Sequence, residues 1–216
     1  MDKAYHIEIT HQALADKLSP SAYQSILVAN LGQDKLRYQI GHPHIHYDDN
    51  CLAEGDSYMA RQRELAVAAL SEGQGPAAWV AFGRLIHSAQ DFYAHSNYVK
   101  LYLEERLSSN SQAQNPNSQR LPAQEIEPLD PAILNHPSLH TGRLYYPWEV
   151  LSFIGLARLM RRLLPADSHT CMNLDNPKQG RLYEYAFWAA VKRTQVEFER
   201  LWEALGVEAR ATFVGE

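Results

Sequence analysis

The chain has 216 residues, enough for one ordinary domain with a single core and crowded for two. It is 45% apolar and 21% charged, as a globular protein is, and its formal charge of −5 argues against broad phosphate-backbone binding and against a stable nucleic-acid complex. The two cysteines, Cys51 and Cys171, stand far apart with no CxxC pair, so neither a thiolate zinc site nor a disulfide framework is suggested, and at most one bridge is left.

The opening MDKAYHIEIT lacks a basic segment followed by an apolar one, and no window approaches ~18 uninterrupted apolar residues. Neither a signal peptide nor a membrane-spanning helix is expected, and the location expected is cytoplasmic.

In chain order, Ile9, Ala13, Leu14 and Leu18 recur at helical spacing over residues 8–18. Ser19-Pro20 supplies an N-cap and a first-turn proline for a second helix that ends near Gly32. Residues 41–50, GHPHIHYDDN, follow neither helical nor strand period and read as a polar loop. A third helix is predicted from about Leu52 to Leu70. Gly75-Pro76 opens a fourth, the longest, carried through to Leu107. Residues 108–131 are rich in Ser, Asn, Gln and Pro and read as a mobile loop within one domain spanning 1–216. The fifth helix is WEVLSFIGLARLMRRLL, closed by Pro165, and the last runs from about Leu182 to Leu205. No alternating strand pattern or hairpin turn interrupts this, so the fold class is all-α, a single-domain multi-helix bundle.

The ten histidines are the unusual feature. His87, Asp91 and His95 follow one another at intervals of four along the fourth helix, so they share one face. His87 and His95 lie about 12 Å apart along the axis, at roughly 1.5 Å per residue. Ligand bonds of about 2 Å do not let one ion reach both. If all three are ligands, Asp91 is the natural bridge between two ions. Such a pair of ions, ~3.5–4 Å apart, lowers the pKa of a shared water and holds the oxygens of an in-line phosphoryl displacement. Imidazole and carboxylate ligands favour Zn²⁺, with Mn²⁺, Fe or Ni as alternatives. An internal hydrogen-bond network would place the same residue types on the same face.

The loop GHPHIHYDDN adds His46 and Asp49 as the preferred ligand pair, with His44 or Asp48 able to replace either. His6, near the N-terminus, reads by itself as a surface histidine. SHTCMNLDNP offers His169 with Asp175 or Asn173, or a helix-entry turn capped by Asp175. The helix at 148–164 sets Arg158, Arg161 and Arg162 opposite a broad apolar face. Packing in the core with solvated arginines is the expected use of that helix, and contact with a membrane surface is the alternative.

The ordered set HIEITHQAL, ANLGQD, the His/Asp loop, HSAQDFYAHSNYV and HTCMNLDNP resembles the Het-C-like branch of the zinc-dependent phospholipase C and single-strand nuclease superfamily. The resemblance touches residues 6–100 and about 165–200. It implies an all-helical fold, a cluster of two or three zinc ions, and hydrolysis of a phosphoester, whether phospholipid or nucleotide. Carried over, His6 holds the ion shared with the bridging Asp91; His46, Asp49 and His87 hold a second; His95, His169 and Asp175 hold a third. Asp91 or Asp49 would orient or deprotonate the attacking water. Secreted members of the superfamily use the amine of an N-terminal Trp as a ligand, where this sequence has Met1. The reading from a different class is a helical protein in which the ions are structural and no reaction is catalysed.

Overall fold

A computed structural model describes residues 1–109, 121–151 and 156–216. They form an all-α bundle; among the described residues only two isolated bridges, Ser96 with Thr141 and Arg143 with Ser168, have strand character. The main helices are α1 (Lys3–Leu14), α2 (Pro20–Gly32), α3 (Leu52–Ser71), α4 (Gly75–His95), α5 (Tyr98–Ser109), α6 (Ala157–Leu163), α7 (Leu182–Glu203) and α8 (Val207–Val214). Both thiols are free. No helix among the described residues is long and apolar enough to cross a membrane.

The bundle is organised around α4, which packs against α2, α3 and α7, while α1 lies on α7 and α2. Apolar residues run round most of the circumference of α4, and from Leu85 to His95 every residue is buried. A helix with no polar face must be enclosed by other elements, and its polar residues must find partners there. That requirement turns the His87–Asp91–His95 stripe into an internal site.

Gly83 permits the tightest contact in this arrangement. A Cβ at this position would lie 2.3 Å from the Ile26 carbonyl oxygen and 2.7 Å from Ala29 Cβ on α2. The close approach is what lets Asn30 reach His87. Gly83→Ala is therefore expected to destabilise the fold by about 1–3 kcal/mol through overpacking. Chemical denaturation at equilibrium checks this, and an unchanged midpoint would contradict it.

Several boundaries differ from the sequence reading. The first helix begins at Lys3 rather than residue 8, so His6 sits inside it, on the buried face. The predicted run from Gly75 to Leu107 is two helices. Ser96 is extended, with φ −103° and ψ 165°, the Asn97 N–H donates to the His140 carbonyl, and the Ser96 hydroxyl accepts from the Tyr98 N–H. These bonds redirect the chain directly after His95. Residues 207–214, not predicted as helical, form α8.

The expectation of a mobile loop over 108–131 falls partly outside the described residues. Its second half is anchored: Ile126 and Ala123 are buried, and Tyr93, Tyr98 and Tyr185 donate hydroxyls to the carbonyls of Pro128, Glu127 and Leu121. The fifth predicted helix is described as Trp148–Leu151 and α6, and the Arg158 side chain lies outside the description. In α6 Met160 is buried, but Leu159 and Leu163 are exposed, as is the preceding Leu156. The expected packing of this apolar face into the core is therefore only partial.

Candidate metal centre

Four segments meet at the C-terminal half of α4. The first is α1, carrying His6. The second is the turn after α2, where Asp34 follows Gly32-Gln33. The third is the loop at 43–50. The fourth is the stretch from Ser168 to Asp175. Residues 140–143 clasp the last two of these to the end of α4. The Asp49 N–H donates to the Gly142 carbonyl at 2.7 Å, the Gly142 N–H to the His95 carbonyl at 2.9 Å, and the His169 N–H to the Arg143 carbonyl at 2.8 Å. Gly142 is required by this clasp, because a Cβ there would lie 2.7 Å from His169 Cα.

The loop at 43–50 settles which of its residues face inward. A short 3₁₀ turn, Pro43–Ile45, delivers His46, after which Tyr47, Asp49 and Asn50 adopt positive φ of 53°, 54° and 59°. These left-handed positions, uncommon for residues other than glycine, alternate the side chains. His46 and Asp48 are buried, while Asp49 is exposed and accepts from the Leu144 N–H. Asp48, not the preferred Asp49, is thus the inward carboxylate. His44 lies against His42 and Tyr58 instead of the centre.

Asp91 stands in the middle, fully buried, with one oxygen to each side. Its Oδ2 is 2.9 Å from His46 Nδ1 and 3.0 Å from His87 Nε2, and those two nitrogens are 3.1 Å apart. Its Oδ1 is 3.2 Å from His6 Nε2 and 2.5 Å from the α-amine of Met1. That amine also lies 3.1 Å from Asp175 Oδ1 and 3.3 Å from His95 Nε2. On the far side, Asp48 Oδ1 is 2.7 Å from His169 Nδ1 and 3.2 Å from His95 Nδ1. The Leu174 N–H donates to the Ala94 carbonyl, and this bond holds Asp175 against His95 Nε2 at 3.0 Å. Asn173 points elsewhere, towards Arg161.

Three buried groups can therefore hold a metal ion: His6, Asp34 and His87; His46, His87 and Asp91; Asp48, His95 and His169. Within each group the donor atoms lie within 4.8 Å of one another. Ligands about 2.0–2.1 Å from a tetrahedral ion stand about 3.3 Å apart, close to the spacing around Asp91 Oδ2.

Outer hydrogen bonds orient the rings. His6 Nδ1 donates to Gln90 Oε1 at 2.6 Å, His87 Nδ1 to Asn30 Oδ1 at 3.2 Å, and His95 Nδ1 to the His46 carbonyl at 2.8 Å. Gln90 Nε2 is committed to Thr10 and Thr194, and Asn30 Nδ2 to Thr10 and Gln90 Oε1, which orients both amides with their oxygens towards the rings; Gln90 Oε1 accepts from His6 and from Asn30. His6 and His87 then present Nε2 towards Asp91, and His95 turns Nε2 towards Asp175. This is how proteins fix the tautomer of a metal-binding histidine. Three buried atoms here, His6 Nε2, His46 Nε2 and Asp34 Oδ2, have no hydrogen-bond partner among the described residues. His6 and Asp34 belong to one of the candidate groups, and buried acceptors left unpaired there fit a cation.

Ionisation follows the same geometry. Burial dominates at His87 and holds it down to about 3, keeping the ring neutral and able to ligate. Burial opposes charge on Asp48, Asp91 and Asp175, but the facing imidazoles, together with the Met1 ammonium at Asp91 and Asp175, hold all three below the usual carboxylate range. Burial likewise opposes charge on His95, yet Asp48 carries it upwards. The Met1 amine, buried among carboxylates, is raised to about 11. Burial and the Asp91 charge push Asp34 up.

These directions give a pH profile for the metal-free protein. The His87 contribution is full above its unfolded value of 6.5 and is lost as pH falls towards 3. The depressed carboxylates lose theirs at still lower pH. The raised amine and His95 contribute fully below their unfolded values of 8.0 and 6.5 and lose that contribution as pH rises through their folded values. The melting temperature of the chelated protein is expected to fall on the acid side, beginning near pH 6.5. A thermal scan series checks this, and a rise in stability between pH 6 and 4 would contradict it.

Of the residues nominated from sequence, His6, His46, His87, Asp91, His95, His169 and Asp175 come together here, and Asp49 does not. Asp34 was missed; Met1, which stands where the resemblance has a chelating Trp amine, is not among the nominated residues. Asp34 lies in the quoted ANLGQD, but a lone aspartate after a helix C-terminus looks like an ordinary turn residue.

Fold and site define an all-helical protein with buried His/Asp groups able to hold metal ions. Residues 2–120 match the family model described as the VWA7 N-terminal domain, more than half of the chain, and the chain belongs to that family. The matched span includes every candidate ligand named above except His169 and Asp175. No curated protein and no solved structure matches the chain.

Proposed function

We propose that this chain is a zinc-dependent phosphoester hydrolase, phospholipase C-like, working at the centre built on Asp91. The observation that carries this reading is the Asp91 carboxylate, with its two oxygens facing separate imidazole groups whose tautomers are fixed from outside. The ordered motifs that resemble the Het-C-like branch support it.

His6, Asp34, His46, Asp48, His87, Asp91, His95, His169 and Asp175 would hold the ions. Imidazole-rich donors with carboxylates suit zinc, with manganese, iron or nickel as alternatives. Bound zinc supplies Lewis acidity and a water acidified towards neutral pH. Asp91 has both oxygens engaged, so its role is to hold two sites in register. Asp34 Oδ2 is buried and unpartnered, which leaves it the carboxylate oxygen able to take a proton from the nucleophile. Exposed Tyr146, Trp148, Leu156, Leu159 and Leu163 favour a phospholipid substrate presented at a membrane surface over a nucleotide.

A second reading, that the ions are structural, draws on the burial of the centre. His6, His87 and Asp91 have no exposure at all, and Asp34 and Asp175 are the more open edge. The experiment is turnover of bis(p-nitrophenyl) phosphate and p-nitrophenylphosphorylcholine by chelated protein before and after adding zinc. Turnover restored by the metal supports the hydrolase. A melting temperature restored by zinc with neither ester turned over assigns the ions to structure.

A further inference from the structure

Behind the metal-site loop, on the far side of Tyr47 and Phe92, lies a separate cavity of about 450 Å³. One wall is apolar, with Met59, Tyr47 and Phe92, and the other carries Arg63, Arg193 and Arg200. All three guanidiniums converge on a single carboxylate, that of Glu197, which is fully buried: Arg63 Nη2 donates at 2.5 Å, Arg193 Nε at 2.8 Å and Arg200 Nη1 at 3.1 Å. Glu197 itself does not line the cavity; the acid that does, Asp56, accepts from the Tyr47 hydroxyl. Three cations against two anions leave one positive charge in excess. The Arg63 Nε is buried and has no hydrogen-bond partner among the described residues. A guanidinium carries five donors, and Glu197 uses one from each arginine.

A pocket of this size with an apolar body and a few convergent polar groups is the usual form of a small-molecule site. We propose that this cavity binds a small monoanionic amphiphile, a carboxylate head on an apolar chain. The head pairs with the free guanidinium donors and the chain lies against Met59, Tyr47 and Phe92. The site is distinct from the histidine centre, although Tyr47 stands in the chain between the candidate ligands His46 and Asp48.

Isothermal titration of the whole chain with decanoate, below its micelle concentration, tests the proposal. Decanol and acetate serve as the neutral and the chainless controls. Saturable binding of one decanoate per chain is expected, with neither control binding. Arg63→Gln and, separately, the half-exposed Arg200→Gln are expected to weaken decanoate at least about tenfold, the scale of a hydrogen bond to a charged group, with helicity by circular dichroism unchanged. Because Glu197 keeps two arginines in each variant, loss of binding with retained helicity speaks for the cavity. Absence of decanoate binding, equal binding of decanol, or an affinity that both variants leave untouched would overturn it. Acetate binding as tightly as decanoate would also overturn it, since the carboxylate alone would then be recognised, as at a metal.

Discussion

Asp91→Asn is expected to remove at least one metal ion per chain and to lower phosphodiester turnover by about a thousandfold or more. The reasoning is electrostatic. Asp91 is fully buried, and its two oxygens face His46 and His87 on one side and His6 and the Met1 amine on the other. An amide keeps the shape but presents one weak acceptor and one donor, so one of the two faces turns repulsive to any cation. Several kcal/mol of transition-state stabilisation depend on correctly held ions, and about 1.4 kcal/mol corresponds to a tenfold rate change. The metal-free variant is also expected to be less stable by about 3–5 kcal/mol, because a buried charged partner is left uncompensated. Elemental analysis and turnover, measured on the same preparation, decide the matter. Unchanged metal content and activity would contradict it.

The second large effect separates two adjacent aspartates. Asp48→Asn is expected to cost one ion and to lower the zinc-loaded melting temperature, since Asp48 Oδ1 is the only carboxylate oxygen in the group with His95 and His169. Asp49→Asn is expected to stay within about 0.5 kcal/mol of the parent, as surface changes do, because its exposed carboxylate meets only the Leu144 N–H among the described residues. Metal stoichiometry and denaturation midpoints of the pair check this. A larger loss in the Asp49 variant would restore the ligand assignment that the sequence suggested.

That contrast shows where sequence reasoning reaches and where it stops. The helices were legible because apolar spacing and punctuation agree: Ser19-Pro20 and Gly75-Pro76 start helices where the structure starts them. His87, Asp91 and His95 were legible as one face because helical geometry is regular. The loop at 43–50 has no period, and the choice between Asp48 and Asp49 turns on three residues with positive φ, held by bonds to residues 141, 142 and 144 nearly a hundred positions away. No local pattern encodes that. Asp34 escaped notice for the same reason: it becomes a site residue only because Gly83 lets α2 press against α4. The break at Ser96–Asn97 likewise depends on partners at Ser138, His140 and Thr141.

The outer network explains why the centre sits where it does. Thr10 on α1, Asn30 on α2, Gln90 on α4 and Thr194 on α7 are all buried and bond to one another. They join the four helices at the level of His6 and His87. Two of these side chains, Asn30 and Gln90, also bond His87 and His6, so the network that satisfies the interior of the bundle orients those imidazoles.

Anomalous diffraction at the zinc edge, from crystals grown with zinc, tests the central claim most directly. Peaks within bonding distance of Asp91 Oδ1 and Oδ2, one on each side of the carboxylate, are the predicted result. Density showing Asp91 surrounded by protein groups alone, with any zinc elsewhere, would contradict it.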